Sequence, residues 1–270
     1  ITASAGTSNF RAGVNAGNSI TSGGNFNVVV GDEAGTALTT GDNNVALGFG
    51  ALNDEDTGNY STAIGSGALS KQNNDANNYN TAVGFEAGRE VTSGTLNTIL
   101  GGLAGDALLT GTTNTAVGAQ ALSADTAGNR SVAVGNAALF AQNFSTSTNA
   151  YNVAVGYEAG AAVTTGISNT LIGGLAGDAL TDADSNIAIG VNSLTTDTLG
   201  SRSVAIGQDA LAVQNFTTAT NTHNVAVGYG SGAAVTTGIN NTFLGGQAGL
   251  ANTTGQFNVF VGTDAGEALT

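Results

Sequence analysis

The most regular feature of the chain is a five-residue phrase of polar, β-branched, small, aliphatic and glycine positions. Asn114 to Gly118 reads Asn-Thr-Ala-Val-Gly, and close variants return at 152–156, 186–190 and 203–207. The residue before the closing glycine is Val, Ile or Leu, and the residue three before it is Val, Ile or Thr. Side chains alternate between the two faces of a strand, so these two positions share one face. The pattern predicts a short strand in which that face is buried.

The closing glycine of the phrase recurs at a nearly constant interval. Ten of the thirteen steps between successive closing glycines have the same length of seventeen, as from Gly31 to Gly48, and the other three are slightly longer. A 17-residue unit is too short for two helices or a propeller blade, but it suits one solenoid turn with short strands and glycine turns. We therefore predict an all-β parallel β-solenoid, or β-roll, of about fourteen coils. The closing glycines are Gly31, Gly48, Gly65, Gly84, Gly101, Gly118, Gly135, Gly156, Gly173, Gly190, Gly207, Gly228, Gly245 and Gly262.

The coils are grouped in super-repeats of four. The interval from Gly84 to Gly156 equals the interval from Gly156 to Gly228, and each comprises three coils of the basic length followed by one longer coil. The extra residues always follow the coils that contain Leu69, Leu139 and Leu211. They are therefore predicted to protrude from one side of an elongated rod.

The predicted solenoid occupies nearly the whole chain. We expect residues 25–270 to form one continuous β-roll and residues 1–24 to form a partial first coil or edge, because a weaker copy of the phrase ends at Gly13. The three predicted insertions lie near residues 71–79, 140–151 and 212–223.

Two further columns of residues suggest how the coils are held together. The position four before the closing glycine is Asn in eleven copies and Ser in three, and stacked Asn side chains can bond turn amides and one another. The position two before it is mostly Ala, which predicts either a flat apolar face buried between subunits or an intramolecular core. In the first case, larger residues would fix the register between chains. They are Val29, Ile99, Leu171, Phe243 and Phe260.

Composition and charge exclude several functional classes. The chain has 42 glycines, no proline, 9% charged and 41% hydrophobic residues, which is a composition able to bury a core rather than a disordered one. Five Lys and Arg against nineteen Asp and Glu give a net charge of -14, so we expect no nucleic-acid partner. Cysteine is missing, and no apolar stretch is long enough to predict membrane insertion of this segment. Residue 1 is not Met, so we expect a piece of a longer protein.

The sequence contains no recognisable catalytic or metal-binding constellation. His223 is the single histidine, which leaves no Ser-His-Asp triad and no histidine metal pair within one chain. The acidic groups at Asp32 with Glu33 and at 54–56 are interpreted as solvated turns. We predict no enzyme activity and no cofactor, and bound calcium between coils stays open without a specific motif.

The insertions carry the candidate recognition residues, because aromatic rings beside amides are typical of sugar contacts. The alternative is that these rings fold back over adjacent coils, and that the histidine among them is an ordinary surface residue. The candidates are Phe140, Asn143, Phe144, Tyr151, Asn215, Phe216 and His223.

The phrases resemble repeats of two groups of attachment proteins. Ser131 to Gly135, which reads Ser-Val-Ala-Val-Gly, is similar to the head repeat of trimeric autotransporter adhesins. The 17-residue Asn-Thr-Ala-Val-Gly unit is closer to repeats of bacteriophage tail-fibre and virion structural proteins, and this resemblance extends from about Asn25 to the end.

The resemblance implies a homotrimeric, non-enzymatic fibre segment for host or surface attachment. Its expected location is extracellular, on a virion fibre or a cell surface, and its expected outside partner is a host-surface glycan or protein. The alternative is a monomeric solenoid that binds ice, calcium or glycan.

Overall fold

A computed structural model describes residues 6–267 of the chain. Within that range the chain forms strands and turns and no helix. It divides into two compact units, of which unit 1 comprises Ile1–Ser131 with Asn143–Thr148, and unit 2 comprises Val132–Gln142 with Asn149–Thr270. Each unit is a parallel β-solenoid whose coils have the predicted length, which confirms the predicted fold class.

Unit 1 contains seven three-residue strands that pair in parallel and in chain order, each with the equivalent strand of the next coil. The first of them lies in the weak copy that ends at Gly13, so the strands number one more than the fourteen predicted coils. A two-residue strand, β8, follows at Gly128–Asn129. The seven are β1 (Phe10–Ala12), β2 (Val28–Val30), β3 (Val45–Leu47), β4 (Thr62–Ile64), β5 (Thr81–Val83), β6 (Thr98–Leu100) and β7 (Thr115–Val117).

Unit 2 contains eight three-residue strands, also paired in parallel and in chain order. Two-residue strands occur at β14 (Gly200–Ser201) and at β16 (Thr220–Asn221), which lies in the third insertion and pairs with β14. The two residues of β10 (Thr148–Asn149) are divided between the two units. The eight are β9 (Val132–Val134), β11 (Val153–Val155), β12 (Thr170–Ile172), β13 (Ile187–Ile189), β15 (Val204–Ile206), β17 (Val225–Val227), β18 (Thr242–Leu244) and β19 (Val259–Val261).

The closing glycine is required by the distance between neighbouring coils. Gly173 has φ +133°, and a Cβ added there would lie 2.6 Å from the carbonyl carbon of Gly190 in the next coil. A side chain at this position would collide with the backbone above it and would also adopt an unfavourable conformation. The tight stacking of the coils therefore explains why this glycine recurs.

The predicted orientation of the strands is wrong. The middle residue of every three-residue strand except β1 and β19, such as Ala46 or Ala154, is buried inside the coil, while the flanking residues point outward. Ile187, for example, is 37% exposed. A three-residue strand sends only its middle side chain into the coil, whose narrow interior is largely filled by leucines from the turns. The Ala column is thus an intramolecular core, which was one of the two interpretations left open.

The larger residues in the Ala column fill space beside glycines of the turn and do not protrude toward another chain. Leu171 lies against Gly160 and Gly177, where an added Cβ would approach its methyl groups to 2.6 and 2.7 Å. Where a coil has Ala in this column, its turn usually has Leu instead of Gly, as Ala46 and Leu52 show. The turn keeps Gly only where the next coil has a large residue in the column. The four-coil super-repeat therefore reflects matched side-chain volumes in the core.

The predicted Asn ladder is present in the structure. Asn44 donates from its backbone N–H to Oδ1 of Asn27 at 2.9 Å, and from Nδ2 to the carbonyl of Gly58 at 2.8 Å. Its own Oδ1 accepts from the backbone N–H of Ser61 at 2.9 Å. Each buried Asn of this column thus satisfies one turn carbonyl and one N–H of the next coil, which links successive coils in the interior.

Candidate functional site

The outward side of the three-residue strands forms an uncharged surface in each unit, which we call the outward sheet face. It is made by the first and third residue of each strand, which are aliphatic or Thr apart from Phe10. In unit 1 these residues are Phe10, Ala12, Val28, Val30, Val45, Leu47, Thr62, Ile64, Thr81, Val83, Thr98, Leu100, Thr115 and Val117. In unit 2 they are Val132, Val134, Val153, Val155, Thr170, Ile172, Ile187, Ile189, Val204, Ile206, Val225, Val227, Thr242, Leu244, Val259 and Val261.

The outward strand positions contain no charged residue. Of the 24 charged residues, counted as five Lys and Arg plus nineteen Asp and Glu, none occupies a first or third strand position. Water-facing sides of sheets normally carry polar residues, and contiguous apolar patches on a protein surface usually mark an interaction site. The outward sheet face therefore has the character of a surface that packs against another apolar surface.

Exposed aromatic residues lie on both sides of the strands. Phe85 and Tyr157 directly follow a closing glycine, and each is 56% exposed. Tyr60 and Tyr79 precede the strands of adjacent coils, where their rings stack with centroids 5.1 Å apart and planes 3° from parallel. These rings are further exposed apolar groups that flank the strands in sequence.

The insertion residues predicted to recognise a ligand do not form one cluster. Phe144 and Phe216 are only 6% and 7% exposed, and their backbone N–H groups donate to Oδ1 of Asp125 and Asp197 at 3.1 and 2.9 Å. Asn215 is half-buried. The rings of Phe144 and Phe216 thus fold back over their coils, which is the alternative interpretation given above.

The other four candidates are exposed on the surface. Phe140 and Tyr151 are 41% and 50% exposed, and Asn143 and His223 are also exposed. Asn143 accepts a hydrogen bond from the hydroxyl of Thr126 at 3.0 Å. A recognition role for these four side chains stays a prediction.

Glu55 was expected in a solvated turn, but it is fully buried. Its Oε1 accepts from the N–H of Gly58 at 2.7 Å, and its Oε2 accepts from Nε2 of Gln72 at 2.8 Å and Nδ2 of Asn78 at 3.0 Å. Burial raises the pKa of this carboxyl above its ordinary value. Gln72 also bonds Ser61 and Asn80, so it replaces the Asn side chain that the ladder lacks where Ser occurs.

A second buried carboxylate repeats this arrangement in unit 2. Oδ1 of Asp197 accepts from the N–H groups of Gly200 and Phe216 at 3.0 and 2.9 Å, and Oδ2 accepts from Gln214. Burial raises the pKa of Asp197 as well. Asp125 in unit 1 is likewise buried and accepts from the N–H groups of Gly128 and Phe144. Sequence reasoning missed these three carboxylates, although a signal existed, because each acidic residue is followed by Gln at the equivalent position of the next coil.

The comparisons with known proteins give no further guide to function. No family model, no curated protein and no solved structure matches the chain. The resemblance to tail-fibre and adhesin repeats therefore stays a prediction.

Residues 6–267 show neither a metal-binding cluster nor a membrane-spanning helix. No group of three or more His, Cys, Asp or Glu side chains in this range is placed to hold a metal ion. The same range contains no helix with the length and hydrophobicity needed to cross a bilayer.

Proposed function

We propose that this chain is a non-enzymatic structural segment of an extracellular attachment fibre, and that three copies pack through their outward sheet faces. The observation that carries the proposal is the exposure of aliphatic strand residues on a face without charge, although the chain as a whole carries a charge of -14. The resemblance to trimeric fibre repeats adds support for the number of copies and for the attachment role.

A second copy of the chain suits this face better than an unrelated partner. Successive coils place one aliphatic or Thr pair every ~4.8 Å, so a parallel copy offers the same spacing and the same chemistry. The net charge of -14 makes two copies repel each other in general, and the uncharged strand face is where this repulsion is least. Burial of the outward sheet face would also add to the small core enclosed by a single coil.

Sedimentation velocity tests this proposal directly. The expected species has three times the chain mass of 26.2 kDa. Ile187→Asp should dissociate it, because three carboxylates would be buried without cations on closely packed faces. Ile187→Thr should remain trimeric, since Thr170 and Thr242 occupy the equivalent position in other coils.

A matched control separates loss of packing from added charge. Thr237→Asp introduces the same charge on an exposed turn, where Asp182 naturally occupies the equivalent position. This variant should sediment like the parent chain. A wild-type chain that stays monomeric at high concentration would contradict the proposal and would favour the monomeric ligand-binding alternative.

A further inference from the structure

Unit 1 contains a surface pocket created by two missing side chains. The position two residues after the closing glycine carries a side chain in most coils, as at Glu33 and Glu86, but it is glycine at Gly50 and Gly67. A Cβ added at Gly50 would meet nothing within 4 Å. The gap between the two glutamates is a pocket of about 250 Å³. Its lining also includes Phe49, Asn53, Ser66, Ser70 and Arg89.

The wall of the pocket combines one aromatic ring with several free hydrogen-bonding groups. Phe49 is 60% exposed. Within the described part of the chain, the hydroxyls of Ser66 and Ser70 and the carboxylate of Glu33 have no protein hydrogen-bond partner. A ligand in the pocket can therefore meet a ring face on one side and both donors and acceptors on the others.

The charge of the pocket disfavours anionic ligands. Arg89 is its single basic residue, and this guanidinium is engaged by two carboxylates, through Nη1 to Glu86 at 2.6 Å and through Nε to Glu90 at 2.8 Å. Glu33 adds a further negative charge and forms no ion pair with another described residue. The available carboxylate oxygens are suited to accept hydrogen bonds from neutral O–H groups.

We propose that this pocket binds one neutral pyranose unit of a glycan. The apolar face of the sugar would lie against Phe49, and its hydroxyls would bond Glu33, Ser66 and Ser70. The volume is below the range of pockets for drug-sized ligands, which fits a single ring and weak binding. The biological meaning of the site rests on the proposed attachment function, since three pockets per trimer would raise the avidity for a repeated glycan.

Saturation-transfer NMR tests the pocket with the methyl α-pyranosides of glucose, galactose and mannose, and with glucuronate and glucosamine as charged comparators. We expect transfer to at least one neutral sugar and a tenfold or greater reduction in Gly50→Gln/Gly67→Gln. Gln120 and Gln247 occupy the same position elsewhere with φ +58° and +54°, so the fold accepts this residue. Phe49→Ala should weaken binding in the same way.

The matched control is Ala137→Gln, which adds the same side chain at the same coil position outside the pocket. It should bind sugar like the parent chain. The proposal is overturned if none of the three neutral sugars receives saturation, if glucuronate or glucosamine is preferred, or if binding survives in the doubly substituted variant. Equal loss in Ala137→Gln would also contradict it.

Sedimentation of the same samples keeps the two proposals distinct. A trimer that binds no sugar would refute the pocket alone, whereas a monomer that binds sugar would refute the trimer alone.

Discussion

Replacement of one ladder residue, Asn97→Ala, should destabilise unit 1 strongly. Asn97 is fully buried, its Oδ1 accepts from the N–H of Asn114 at 2.9 Å, and its Nδ2 donates to the carbonyl of Gly111 at 2.9 Å. Alanine leaves both backbone groups buried without a partner. At about 1–3 kcal/mol for each orphaned group, the loss in unfolding free energy should be ~2–6 kcal/mol.

Asn97→Asp provides a more specific test of the same geometry. The carboxylate retains an acceptor for Asn114, but its second oxygen faces the carbonyl oxygen of Gly111, and the charge is buried. This variant should be less stable than Asn97→Ala at pH 7. Burial raises the pKa of an introduced carboxyl, so stability is present below the unfolded pKa and is lost as pH rises through the folded value. Near pH 3 the protonated acid can donate to Gly111 and the order should reverse.

Urea unfolding followed by circular dichroism measures the free energies, and hydrogen exchange of the Asn114 amide reports the lost bond locally. Asn43→Ser is the control, because Asn43 is exposed and Ser168 and Ser185 occupy the equivalent position. It should change stability by less than about 0.5 kcal/mol. If Asn97→Ala lowers the free energy of unfolding by less than about 0.5 kcal/mol, or leaves the exchange rate of the Asn114 amide unchanged, the ladder is not a source of stability.

Three further predictions concern the core and the turns. Burial raises the pKa values of Glu55 and Asp197, so the urea midpoint should fall as pH increases from about 4 through their folded pKa values. The double variant Glu55→Gln/Asp197→Asn should show a smaller fall. An equal dependence of the midpoint on pH in both proteins would contradict the assignment of this fall to the two carboxyls. Phe243→Ala should lower the free energy of unfolding in urea by about 3–5 kcal/mol. Adding Gly249→Leu should restore part of this stability by refilling the core, and no restoration would argue against matched side-chain volumes. Gly173→Ala should lower the thermal midpoint sharply, because the added Cβ lies 2.6 Å from the next coil, and an unchanged midpoint would disprove the close stacking.

Much of the architecture could be predicted from the sequence, because repetition makes each constraint visible many times. The period of the closing glycine predicted parallel coils, and the column of Asn predicted an interior ladder that the structure confirms in detail. Both signals arise from contacts between equivalent positions of adjacent coils, so they leave a strict interval in the sequence.

The inward side of the strand could not be predicted from alternation alone. A period of two places Val153 and Val155 on one face and Ala154 on the other, but it does not say which face is enclosed. The larger aliphatic residues normally mark the interior, and here the narrow coil accepts Ala because leucines from the turns already occupy the space. The same bias led to Glu55 being placed in solvent, since an isolated acidic residue is rarely buried.

The candidate site was harder to predict than the fold. Phe144 and Phe216 lie in insertions with an aromatic and amide composition typical of recognition loops, yet their rings are needed to cover the coils beneath them. The pocket at Gly50 and Gly67 has no conspicuous motif, because it arises from side chains that two adjacent coils lack. Recognition of such a gap requires the coil alignment and the geometry together.

The matched volumes of the core also limit how the chain can change its length. A coil with a large residue such as Leu171 needs glycine both in its own turn and in the turn of the coil before it, at Gly177 and Gly160. Duplication or loss of a single coil would usually set a bulky residue against a turn leucine or leave a void. Gain or loss of a whole four-coil block preserves every contact of this kind, so length variants of the protein are expected to differ by multiples of four coils.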